Sequence, residues 1–326
     1  MSDPSLAIET RALTKKFGKQ TVVNELYLSV PRGSVFGFLG PNGSGKTTTI
    51  RMLLGLASAT GGEVNLLGEP MPRQLSGVLP RVGALIEGPG FYPFLSGAAN
   101  LHRLDTADRY ASGATRRRRV AEALDRVGLT NAAGKKVHAY SLGMKQRLGI
   151  ANALLMPREL IVLDEPTNGL DPQGTREVRH LVRSLTEEGT TVFVSSHLLA
   201  EIEQMCTHAA VMRAGNLVAQ GSLDELRHAG QTRVRVVTPD VESAERVFRA
   251  LGLSPGHPEP TAHPGQLLDA EDDYALEAPL GDTLAPDAIV ADLVAAGVRV
   301  RGFAVERATL EDLFVALTGE GFDVAQ

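Results

Sequence analysis

The apolar residues of this chain change their spacing at recognisable places. The runs "SVFGFLG", "LIVLDEP" and "TVFVSSH" hold short apolar stretches of the kind that strands buried on both faces require. Helical patterns separate them, so the chain up to about Leu226 predicts parallel strands joined by crossover helices. Residues 93 to 136 read as mainly helical, and "SLGMKQRLGIANAL" reads as a helix capped by the Ser141 hydroxyl. After "GQT" the texture changes. "RVRVVT", "VESAERVFRALG", "GQLLDAE", "YALEAP", "PDAIVADLVAAG" and "VRVRGFAVE" predict strand, helix, two strands, helix, strand, the order of a split βαβ unit. "TLEDLFVALTG" predicts a closing helix, and "GHPEPTAHPG" a loop whose histidines suit either solvent or a metal. The expected organisation is an α/β domain over residues 1–228, its helical part at about 93–155, then an α+β domain over 229–326.

Composition narrows the class without deciding it. A length of 326 residues fits two domains, and 43% hydrophobic with 22% charged residues suits a chain with a sizeable core. The net charge of −5 supplies no bulk attraction to nucleic acid, so no nucleic-acid partner is expected. The single cysteine, Cys206, excludes an intramolecular disulfide and a cysteine metal cluster, and fits a reducing compartment. No basic-then-apolar leader opens the chain, and no run of about 18 apolar residues occurs, so the chain is expected neither to be secreted nor to span a membrane by itself.

The strongest chemical signal is Gly40 to Thr47, a full G-x-x-x-x-G-K-[ST] match between an apolar strand and "TTTIRMLLGL". In that context Gly40, Pro41, Asn42, Gly43, Ser44 and Gly45 form a loop whose backbone N–H groups wrap phosphates, and Lys46, Thr47 and Thr48 open a helix with its positive dipole end facing them. Lys46 is expected on the β and γ phosphates of ATP, and the Thr47 hydroxyl on Mg²⁺.

A second element is "LIVLDEPTNGLDP", where a buried strand ends on adjacent acids. Asp164 is placed to hold the metal through water and Glu165 to take a proton from an attacking water. "TVFVSSHLL" ends a further strand at His197, where an imidazole reaches the γ-phosphate and the same water. Taken alone, two acids at a strand end also suit a solvated turn, and a lone histidine a structural role.

"GPNGSGKTT", "LIVLDEP", "NGLDP" and "SSH", in this order, resemble the Walker A, Walker B, D-loop and H-switch segments of ABC-type ATPases. "YSLGMKQR" then resembles the ABC signature: Ser141 and Gly143 match its L-S-G-G-Q pattern, whereas Tyr140, Leu142 and Met144 depart from it in the manner of the bacitracin and daunorubicin resistance type exporters. The resemblance is strong over about residues 7–226 and weaker beyond. It implies a P-loop ABC ATPase fold with a helical subdomain, ATP with Mg²⁺, and a head-to-tail dimer. In that dimer Ser141 and Gly143 serve the partner's nucleotide and Asp171 of the D-loop joins the nucleotide site. It also implies that the chain sits peripherally at the cytoplasmic face of the cell membrane, docked on a separate transmembrane permease and touching the membrane mainly through it, and that it powers export of drug, antibiotic or lipid-like compounds. A non-transport ABC ATPase acting as a clamp is the competing class. DNA-repair or chromosome types would carry a long coiled coil or zinc cysteines and translation-factor types two P-loops, none of which is present, and an intact Glu165 argues against a non-hydrolysing clamp.

Four further features follow from the resemblance or stay open. Phe17 falls where the family stacks an aromatic on adenine, and Glu87 where most members carry the Q-loop glutamine, which would place an acid near Mg²⁺ and the water. Phe91, Tyr92 and Phe94 are crowded into one Gly/Pro loop of a chain with ten phenylalanines, five tyrosines and no tryptophan, which suggests a contact surface for the permease or local packing. The run Arg116 to Arg119 suits anionic lipid headgroups or a solvated helix face.

Overall fold

A computed structural model describes residues 3–86, 90–108, 110–228, 232–260, 273–281 and 284–307. The chain divides into two compact units at Leu223/Asp224.

The first unit opens with β1 (Leu6–Phe17), β2 (Gln20–Leu26), β3 (Ser29–Pro31), β4 (Val35–Leu39), α1 (Lys46–Leu53), β5 (Gly61–Leu66) and β6 (Glu69–Met71). It continues through α2 (Leu75–Val78), β7 (Val82–Leu85), α3 (Gly97–Ala107), α4 (Arg116–Arg126), α5 (Leu142–Ala153), β8 (Leu160–Asp164), α6 (Pro172–Glu187), β9 (Thr191–Ser196), α7 (Leu199–Met205), β10 (His208–Arg213) and β11 (Asn216–Ser222). One sheet runs in the order β11-β10-β4-β9-β8-β7, parallel from β10 to β7 with β11 an antiparallel edge. The expected parallel sheet is present, and a second sheet that the apolar pattern did not predict accompanies it. β1, β2, β3, β5 and β6 form a second, antiparallel sheet, begun by a tight turn that pairs Phe17 with Gln20. Its hairpin has the turn residues Gly18 and Lys19, a local cue that the pattern of crossover helices masked.

Period-two alternation explains why β8 and β9 sit in the middle. Leu160, Val162 and Phe193 point into a core shared with β1, β2 and α1, whereas Ile161, Leu163, Val192 and Val194 point into the core built by α3 to α6. Both faces are covered, so after Thr191, which opens β9, these strands carry no polar residue until their carboxyl ends. α6 buries Val178, Leu181, Val182 and Leu185 at helical spacing and so closes the second core.

The second unit contains α8 (Leu223–His228), all but its first residue, with β12 (Thr232–Thr238), α9 (Val241–Ala250), β13 (Glu259–Pro260), β14 (Tyr274–Pro279), α10 (Pro286–Ala295) and β15 (Gly302–Arg307). Its sheet order is β13-β14-β12-β15, antiparallel throughout, around Val234, Val236, Phe248, Leu276, Ile289 and Leu293. β13 lies in the segment expected to be a loop, because Glu259 and Pro260 pair with Ala275 and Tyr274. The strand expected over "GQLLDAE" and the closing helix lie outside the described residues, as does His263. Among the described residues no cluster of histidine, cysteine and acidic groups suits a metal.

Candidate active site

The parallel sheet delivers its chemistry at the carboxyl ends of three adjacent strands, β4, β9 and β8, where ligands of such sheets bind. From β4 the chain enters the glycine loop. A Cβ at Gly40 would lie 2.5 Å from the Met212 carbonyl oxygen, so only glycine lets the loop leave the sheet here. Gly45 has φ +104° immediately before α1, and a Cβ there would meet the Val22 carbonyl at 2.7 Å. Pro41, Asn42 and Gly43 are exposed, Ser44, Gly45 and Lys46 are buried, and Thr47 and Thr48 are half-buried in the first turn of α1.

Lys46 folds back across the loop. Its Nζ donates to the Gly40 carbonyl at 2.6 Å and the Pro41 carbonyl at 3.3 Å, and stands 3.4 Å from Glu165 Oε1. Burial pushes its pKa below the usual lysine range, opposed by the charges of Glu165 and Asp164. Among the described residues the buried Ser44 Oγ has no partner. An unpaired buried hydroxyl is costly, and a loop that holds one beside a cation is suited to an oxygen-rich anion.

β8 brings Asp164 and Glu165 to the same place. Ser195 Oγ donates to Asp164 Oδ1 at 2.5 Å and accepts the Glu165 N–H at 2.9 Å. Glu165 has φ +50°, a conformation rare for a residue with a side chain. Its carboxylate lies between two groups: Oε1 faces Lys46, and Oε2 lies 2.7 Å from His197 Nδ1. Lys46, Asp164, Glu165 and His197, predicted from three separate segments, therefore meet. A cleft of about 450 Å³ opens beside Glu165 and His197, with Thr167, Leu170, Arg176 and Arg179 in its wall.

Other expected residues stand apart from this cluster. Ser141 is the N-cap of α5 and accepts the Met144 N–H at 3.2 Å, while Gly143 lies where a Cβ would approach Leu170 at 3.3 Å. Asp171 is the N-cap of α6, accepting the Gly174 N–H at 2.8 Å ahead of Pro172. Phe17 is exposed, with the Lys15 ammonium 4.8 Å from its ring centre. Glu87 lies outside the described residues.

Three contributors went unpredicted. Ser195 binds both acids; Gln146 on α5 donates to the Glu165 carbonyl at 3.3 Å; and Glu201 on α7 accepts the hydroxyls of Thr167 at 2.6 Å and Ser196 at 2.9 Å. The available signal was a hydroxyl at the end of an otherwise apolar strand, since buried polar side chains need partners.

Away from the site, the aromatic loop and the arginine run are each divided between burial and solvent. Phe91 packs on the helical core, whereas Tyr92 and Phe94 are exposed, Phe94 at 76%. Arg103 fixes Tyr92 by lying 4.3 Å over its ring and donating to its hydroxyl. In the arginine run, Arg116 and Arg119 turn inward to the fully buried Asp105 carboxylate.

A glycine loop feeding a helix, on a parallel sheet with acids at the next strand but one, is the fold of a P-loop nucleotide-binding domain. The family profile described as "ABC transporter" matches residues 23–168. The chain is 45% identical over 224 residues to the bacitracin transport ATP-binding protein of Bacillus licheniformis, covering 68% of this chain and 72% of that one. It is 34% identical over 324 residues to the daunorubicin/doxorubicin resistance ATP-binding protein of Streptomyces peucetius, covering 99% and 95%. A solved dimeric ATP-binding cassette, in a post-hydrolysis state with ADP and phosphate, matches with TM-score 0.60 and 26% identity, covering 66% of this chain and 98% of that one. The chain belongs to the family of ABC transporter ATP-binding proteins, and it is an ATPase.

Proposed function

We propose that this chain, at the cytoplasmic face of the membrane, binds ATP with Mg²⁺ in a head-to-tail dimer and uses its hydrolysis to drive export through a separate transmembrane permease. The observation that carries the catalytic part is the convergence of Lys46, Asp164, Glu165 and His197 at adjoining strand ends. Lys46 anchors the β and γ phosphates among the N–H groups of residues 40 to 48. Glu165 accepts the proton of the attacking water, and His197 holds the carboxylate and contacts the γ-phosphate. Hard oxygen donors suit Mg²⁺, and the Thr47 hydroxyl and Asp164 supply them; the ion would neutralise charge on the phosphates. Phe17 offers the adenine an exposed ring face. Ser141 and Gly143 at the start of α5, with Asp171, meet the partner subunit's nucleotide. ATP thereby draws two copies together, and hydrolysis weakens that attraction.

The dimeric relative with ADP and phosphate supports the closing step, and the names of the bacitracin and daunorubicin relatives support drug or antibiotic cargo. Among the described residues no helix is long and apolar enough to cross a membrane, which agrees with a separate permease. Tyr92 and Phe94 form the exposed contact for it. The residues after about 228 stabilise or regulate the dimer and give no group to the nucleotide site. The test is to purify the chain with its membrane partner in lipid vesicles and measure which compounds stimulate its ATPase. Stimulation by candidate cargo, lost with Phe94→Asp while the isolated chain still binds ATP, is the expected result. Stimulation unaffected by Phe94→Asp would remove the loop from the permease contact, and an ATPase indifferent to any permease would remove the transport reading.

A further inference from the structure

We propose that Ser195 is a positioning residue for hydrolysis, one hydroxyl that sets both acids at the end of β8; this rests on the reading of Glu165 as the base. Ser195 is completely buried on β9 and stands in register opposite Asp164. A hydroxyl has one proton and two lone pairs. The Glu165 N–H can only donate, so it takes a lone pair of Oγ, and the single proton is left for Asp164 Oδ1. The arrangement is therefore directional: it suits Asp164 as an ionised acceptor, and it fixes where the strand ends and Glu165 begins.

That second effect concerns Glu165 directly. A left-handed backbone at a residue with a side chain persists where surrounding contacts over-determine it. Here Ser195 holds the N–H, while Gln146 Nε2 and the Asn168 N–H hold the carbonyl oxygen at 3.3 and 3.2 Å. The local reversal turns the Glu165 carboxylate towards Lys46 and His197. Packing alone gives no reason for a hydroxyl in this place, since the preceding β9 residues Val192, Phe193 and Val194 are apolar and equally buried. The neighbouring Ser196 bonds instead to Glu201 and touches neither acid.

The experiment compares Ser195→Ala, Ser195→Thr and Ser195→Cys in the full chain, reading kcat, ATP affinity and thermal midpoint. Ser195→Ala should lower kcat by about 10- to 100-fold, the range expected when a hydrogen bond to a charged group is lost. ATP affinity should stay within about threefold, because no phosphate contact is removed. Ser195→Thr, which keeps the hydroxyl, should recover most of the rate. Normal kcat in the alanine variant overturns the inference, as does equal loss in alanine and threonine variants, which would make the effect one of packing. If the alanine variant does not fold, the cysteine variant decides: it keeps the size and loses a strong donor, and a rate equal to that of threonine overturns the proposal. Glu165→Gln is measured alongside. Normal turnover there overturns the base assignment and this inference with it, whereas slow turnover there with normal turnover in Ser195→Ala overturns this inference alone.

Discussion

Replacing Lys46 by methionine keeps the length of the side chain and removes its charge. In the structure the ammonium makes two carbonyl contacts and one carboxylate contact and is 5% exposed. A hydrogen bond to a charged group contributes about 1.5–3 kcal/mol, and about 1.4 kcal/mol is a tenfold change in affinity. Loss of the phosphate contact therefore predicts ATP binding weaker by about 10- to 150-fold. The fold should respond far less. Burial already opposes the charge on Lys46, and Glu165 keeps His197 as a partner, so an apolar replacement removes a desolvation penalty together with the ion pair. A net change near 1 kcal/mol shifts the melting midpoint of a domain this size by about 2–4 °C. Calorimetric titration with ATP and magnesium gives the affinity, and a thermal melt of the same sample gives the fold. Unchanged affinity would refute the phosphate contact. Lost affinity with a midpoint lowered by more than about 10 °C would show that Lys46 holds the loop, not the nucleotide.

Asp105→Ala should destabilise the first unit by about 3–5 kcal/mol in a denaturant titration, the cost of breaking a buried ion pair, with the lower end expected because Arg116 is 30% exposed and can rehydrate. A change below about 1 kcal/mol would return the arginine run to a solvated face. In the second unit, the Arg299 guanidinium holds the Asp240 carboxyl down from 3.8 to about 2. The folded pKa lies below the unfolded one, so the stabilisation is present above pH 3.8 and is lost as pH falls towards 2. Asp240→Asn should flatten the pH dependence of unfolding in that window, and an unchanged profile would remove the pair from acid stability. A chain ending at Arg227 should still bind ATP. A folded, truncated chain without nucleotide binding would place a binding group in the second unit.

What the sequence displayed depended on how local the chemistry is. Gly40 to Thr47 was legible because a phosphate loop needs fixed residue types at fixed spacing. Asp164, Glu165 and His197 were legible because apolar strands end abruptly on them, and adjacent parallel strands then bring those ends together. The antiparallel sheet was not, since its β1–β5 pairing joins residues about fifty positions apart, such as Glu9 with Asn65. Ser195 and Gln146 escaped for a related reason: their partners are set by strand register and by the packing of α5, which no short motif encodes. In the arginine run Arg117 and Arg118 keep a solvated face, whereas Arg116 and Arg119 turn inward because their partner, Asp105, lies on the preceding helix. In a single chain Ser141 and Asp171 are helix caps and Gly143 lies in the first turn of α5; the second use proposed for all three belongs to the dimer.

The most direct test of the whole account is the hydrolysis rate of Glu165→Gln measured with its ATP affinity. The carboxylate lies between Lys46 and His197, and its proposed role as proton acceptor predicts that removing its charge slows turnover by about 10²–10⁴-fold while ATP still binds and holds two copies together. A Glu165→Gln chain that binds ATP and hydrolyses it at the normal rate would contradict the account.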